Sequence, residues 1–111
     1  MEILLTKDSE KALCEIYAVY LERRAAGVSK SAAKDFSKES DWPEKYRKEW
    51  ADEDFKDCLV ELKRAGMVKL YLYGDFELQD AAIIYMERRF QRGISEVLDW
   101  LAKVKSAVPF L

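Results

Sequence analysis

Histidine is absent from the 111 residues. Its absence removes the commonest general base and every Ser-His or Cys-His arrangement for nucleophilic catalysis. Cysteine occurs twice, at Cys14 and Cys58. Each stands beside leucine in a helical pattern, where a free thiol behaves as a small hydrophobe. Without histidine, zinc would need at least two carboxylates besides the thiols, an unusual ligand set. Glycine is limited to four scattered positions, so no glycine-rich phosphate loop is present. No apolar run approaches membrane-spanning length, and "MEILLTKDSE" mixes acids and lysines unlike a signal peptide. These absences predict a protein that is not an enzyme, takes no cofactor or metal, avoids membranes and resides in the cytoplasm.

What is present is half hydrophobic and 36% charged, and the length suits one domain spanning 1–111. The net charge of −2 hides a gradient. Residues 1–22 carry −3, residues 23–50 carry +3 and residues 51–111 carry −2. An acidic whole disfavours strong nonspecific binding to nucleic acid, whereas the basic middle leaves room for a local patch.

Periodicity divides the chain into helical blocks around one hairpin. A first helix is expected from Asp8 or Ser9, with Leu13, Ile16, Tyr17, Tyr20 and Leu21 on one buried face and Gly27 ending it. Val28 could seed a short edge strand. Ser29 or Ser31 can cap a short helix over about 31–37, through Ala32, Ala33 and Phe36. Asp41 and Pro43 open another over about 43–50, whose inner face would carry Trp42, Tyr46 and Trp50. Asp52 then caps the strongest amphipathic helix, with Phe55, Cys58, Leu59 and Leu62 inward and Gly66 closing it.

Strand alternation follows, with Val68, Leu70 and Leu72 on one face, a tight turn at Gly74-Asp75, then Phe76 and Leu78 in phase. Asp80 can cap the next helix. The apolar stripe from Ile83 keeps its phase across Gly93, giving one bent helix or two, before Pro109 stops it. The fold class is therefore mainly α with a small antiparallel β-hairpin, an α+β arrangement in which residues 80–108 form a C-terminal helical extension.

The stretch "DFKDCLVELKRAGMVKLYLYGDFELQDAAIIYMERRF" resembles the winged helix-turn-helix superfamily. A helix with a Leu-x-x-Leu step ends at a glycine. An apolar strand, a wing and a second strand follow, the last running into a helix start that usually reads leucine–threonine–x–x–glycine–isoleucine. Here that start is "LQDAAI", with Gln79 for threonine and Ala82 for glycine. The chain is also similar to small bacterial and phage winged-helix proteins, a resemblance that implies no particular activity. The superfamily resemblance implies a recognition helix at 52–65 that would enter the DNA major groove, and a wing at 67–79 that would touch the backbone.

Three departures accompany it. The implied recognition helix holds Asp52, Glu53, Asp54, Asp57 and Glu61 against Lys56, Lys63 and Arg64. The turn Gly74-Asp75 offers no cation. About fourteen residues, with an extra short helix, separate the second helix from the third, where three or four are usual.

Candidate nucleic-acid contacts are Lys30, Lys34 and Lys38, at i, i+4 and i+8, joined by Lys45, Arg47 and Lys48 and by Lys56 and Lys63 on the third helix. The competing reading of these lysines is a solvated surface. The stripe Phe90, Ile94, Val97, Leu98, Trp100, Leu101 and Val104 either packs on the first helix or pairs with its copy in a homodimer. The expected function is that of a DNA-binding or transcription-regulatory accessory protein, with double-stranded DNA as partner. The alternative is a protein-interaction module that keeps the fold and does not bind DNA.

Overall fold

The computed structural model describes residues 4–37 and 42–107, so Lys38, Asp41 and Pro109 lie outside the described residues. Among the described residues, six α-helices and three strands follow in the order α1 (Lys7–Ala25), α2 (Lys30–Ala33), β1 (Asp35–Phe36), α3 (Glu44–Arg47), α4 (Asp52–Arg64), β2 (Val68–Leu70), β3 (Phe76–Leu78), α5 (Asp80–Arg89) and α6 (Ile94–Ala107). No helix among the described residues is long and apolar enough to cross a membrane.

α1 is the centre of the molecule. Every residue from Lys11 to Tyr20 is buried, not one face alone, and α2, α4, α5 and α6 all pack on α1. Its N-cap is Thr6, not Asp8 or Ser9. The Thr6 hydroxyl accepts from the Ser9 amide at 3.2 Å, while the Ser9 hydroxyl donates to Glu61 of α4 at 2.5 Å. The same carboxylate accepts from the Thr6 amide at 2.8 Å and the Thr6 hydroxyl at 2.9 Å. Glu61 thus clips the start of α1 to the last turn of α4.

After Gly27, whose φ of +90° turns the chain out of α1, Val28 does not seed a strand. Its amide donates to the Arg23 carbonyl and its carbonyl accepts from Arg24, so its N–H is spent on closing α1 instead of on a ladder. Ser29 caps α2, which stops at Ala33 instead of reaching Phe36. The Arg23 guanidinium takes the Ala33 and Asp35 carbonyls at 3.1 and 2.8 Å, and Phe36 enters the sheet as part of β1. The short helix after Pro43 spans only Glu44–Arg47, and residues 48–51 link it to α4.

The sheet is antiparallel with strand order β1-β3-β2. Phe36 faces Phe76 across it, their rings stacked 4.8 Å apart and 7° from parallel. Leu70 pairs with Phe76, so the connection between β2 and β3 is residues 71–75 and not a two-residue turn. Leu72–Gly74 form a 3-10 turn, and the Tyr71 amide donates to the Asp75 carbonyl at 2.8 Å. Leu72 consequently leaves the β2 alternation and is 80% exposed.

Asp52 and Asp80 are the first residues of α4 and α5; the caps are Ala51 and Gln79. The C-terminal stripe forms two helices. Gly93, at φ +77°, and Phe90, at ψ 72°, break the chain between α5 and α6. Phe90 and Val97 are buried in the core with Leu13, Ile16, Leu62 and Met86.

The clip at Glu61 predicts a pH dependence. Partial burial opposes its charge, but the Ser9 and Thr6 donors outweigh burial and hold its pKa below the ordinary 4.5. A depressed carboxylate contributes stability that is present above its unfolded pKa and lost as pH falls through its folded pKa. Glu61→Gln should therefore be less stable than the wild type at pH 7 in urea titrations. That gap should narrow as the pH is taken below 4.5, and a gap constant with pH would contradict the account.

Candidate binding groove

Phe55, Leu59 and Val60 of α4 recur at helical spacing with Asp52 and Lys56, and all five line one open groove of about 760 Å³. Leu70, Tyr71, Gly74, Asp75 and Phe76 of the hairpin form the opposite wall, and Phe36, Trp42, Arg47 and Trp50 complete the lining. The apolar part is a set of touching rings. Trp42 lies 5.0 Å from Phe55 at 27°, and Trp50 meets Phe55 edge-on at 5.6 Å. Phe55 also contacts Phe76 at 6.3 Å, tying α4 to the sheet. Offset and edge-to-face pairs of this kind each add about 0.5–1.5 kcal/mol beyond their burial.

Trp50 is held from behind. Its indole N–H donates to Glu15 Oε1 at 2.7 Å, and Glu15 Oε2 accepts from Lys11 Nζ at 2.8 Å. Lys11 also reaches Glu49 Oε1 at 3.2 Å and sits 4.6 Å from the Trp50 ring centroid. Lys11 is only 6% exposed and Glu15 1%, both inside α1. Burial raises the Glu15 pKa even though Lys11 and Trp50 favour its charged form. For Lys11, burial works against the charge, but the Glu15 and Glu49 carboxylates overcome it and raise the pKa. Beside them, burial followed by the carboxylates of Glu22, Glu15 and Glu49 pushes Tyr46 up to about 12.

The basic candidates do not converge. Lys30 and Lys34 both turn to Asp80 at the start of α5, at 3.7 and 3.0 Å, and the Lys34 bond leads in depressing that carboxyl's pKa. Lys45 faces Glu22 at 3.7 Å and lies 5.0 Å from the Tyr46 ring. Arg47 donates to the Trp42 carbonyl at 2.8 Å. Lys48, Lys56 and Lys63 are exposed. Among the described candidates only Arg47 and Lys56 reach the groove, where Asp52 and Asp75 accompany them. Asp52, Glu53, Asp54 and Asp57 of α4 are all exposed.

The C-terminal candidates divide by burial. Phe90 and Val97 are interior, while Ile94, Trp100, Leu101 and Val104 are half-buried. α6 packs on α1, and Leu98 is 41% exposed. Arg89 pairs with Glu10 and lies 5.0 Å from both the Phe90 and Trp100 rings. The two cysteines are buried free thiols, and burial pushes Cys58 up to about 11.

Neither the groove nor the Lys11–Glu15 pair emerges from pattern reading. Trp42 and Trp50 read as core closure from their spacing, and nothing local assigns them to the wall of an open groove. Glu15, set among apolar neighbours in "ALCEIYAVYL" with Lys11 four residues earlier, is the one signal that points to a buried pair. No protein-family model, curated protein or solved structure matches the chain.

Trp50→Phe keeps a ring in the groove wall and removes the donor to a buried carboxylate. It should destabilise the protein by about 1.5–3 kcal/mol in urea denaturation, the usual contribution of a hydrogen bond to a charged group. A loss below about 0.5 kcal/mol, the range of neutral surface changes, would remove the indole bond from the account.

Proposed function

We propose that the chain is a winged-helix interaction module that binds another protein through its α4–hairpin face, in preference to DNA. The winged-helix reading is supported by the element order and by the sheet order β1-β3-β2. In this reading α1, α3 and α4 are the three helices of the domain, β1 lies between the first two, and the hairpin is the wing. The short extra helix then precedes β1 as α2. Residues 48–51 become an ordinary helix-turn-helix link.

One observation carries the choice of partner. The face that would meet DNA joins an aromatic groove to an apolar wing tip, with Leu72 80% and Tyr71 45% exposed. Beside it α4 exposes Asp52, Glu53, Asp54 and Asp57, four carboxylates that phosphate would repel. Exposed aliphatic and aromatic surface rimmed by charge is characteristic of protein contacts.

DNA binding is the second reading, favoured by the same sheet order and by exposed Lys48, Lys56 and Lys63. The first-turn acids of α4 weigh against it, because N-terminal residues of a recognition helix lie nearest the bases.

A salt titration against random duplex DNA separates the two. The interaction reading expects no salt-dependent binding at micromolar protein and about 50 mM salt. Three lysines on phosphates would instead give a log–log slope of about −3. That slope would overturn the proposed partner class.

A further inference from the structure

We propose that the groove receives the wing tip of a second copy of this chain, Leu72 of each protomer entering the groove of the other across a two-fold axis. This inference rests on the interaction reading and names its partner. Knob and hole lie on the same hairpin: Tyr71 and Gly74 line the groove, whereas Leu72, between them in the 3-10 turn, does not. The tip is thus an exposed apolar side chain outside its own groove but adjacent to it. A projecting residue next to a cavity on one face is the arrangement an isologous contact needs, since each protomer gives and receives the same residue.

Charge selects a copy over other occupants. Among the described residues, the charged side chains of the groove are Arg47 and Lys56 against Asp52 and Asp75, two of each sign. A two-fold contact sets a surface against itself, so a rim of one sign would repel its own image. A rim of two cations and two acids lets cations of one copy meet acids of the other. A strongly basic or strongly acidic partner gains no such match. The small net charge of −2 also leaves little long-range repulsion between copies.

Sedimentation velocity of the full chain, from low to high micromolar concentration, tests this. The wild type should pass from monomer to dimer with concentration. Leu72→Asp should weaken the dimer at least about tenfold, as loss of a buried leucine anchor implies. Lys56→Asp should weaken it as well, and adding Asp75→Lys should recover part of that loss. Leu98→Asp on α6 should leave dimerisation unchanged, with circular dichroism confirming that each exposed-site variant keeps its helices. A wild type that stays monomeric, a dimer indifferent to Leu72→Asp, or one lost through Leu98→Asp would overturn the proposal. Those failures concern self-association alone; the DNA titration decides the partner class separately.

Discussion

A lysine and a glutamate sit inside the central helix, and the candidate site depends on how they are satisfied. Removing Lys11 and Glu15 from water costs several kcal/mol per ion, so such a pair persists only where further polar groups complete it. The completing groups are the Trp50 indole and the Glu49 carboxylate, both from the segment that joins α3 to α4. Burial of the pair and placement of Trp50 are therefore one constraint. The hydrogen bond that satisfies Glu15 fixes one wall of the groove, and the other walls assemble around Phe55 and Phe76.

The same economy governs the remaining charges. Glu61 is held by three donors at the start of α1, Asp80 collects Lys30 and Lys34, and Glu22 faces Lys45. These contacts join α4 to α1, α2 to α5, and α3 to α1. Among the described residues, the basic middle of the chain thus serves largely to fasten elements together and does not present one continuous cationic surface. Exposed pairs of this kind contribute little energy individually, about 0–1 kcal/mol each, but they remove lysines from the pool that could meet phosphate. What stays open is the α4–hairpin face, apolar at its floor, mixed in charge at its rim and acidic along the start of α4.

Much of the architecture is legible in the sequence because it follows from local rules. The inward residues of α4, the glycine stop at Gly66, and the buried phase of Phe76 and Leu78 all follow from periodicity and backbone preference. The errors have physical causes too. Phe36 left its expected helix because Arg23, thirteen residues earlier, captured the carbonyls on either side of Lys34. The hairpin turn lengthened because Leu70 pairs with Phe76, a register that local turn chemistry does not encode. Thr6 displaced Asp8 and Ser9 as cap because Glu61, distant in sequence, engages the Ser9 hydroxyl. The groove was illegible for the same reason. It is made by α4, the hairpin and the Trp42–Trp50 segment together, and no single stretch carries its signature.

The central claim is that Trp50 is locked by the buried pair, which makes the groove a preformed feature of the fold. Hydrogen exchange at the Trp50 indole Nε1–H, followed by NMR in the intact chain, addresses it directly. The account predicts that this proton exchanges only with opening of the core, at a rate matching the slowest amides of α1. Exchange at the rate of a free indole would contradict it, because the bond to Glu15 would not be holding that wall in place.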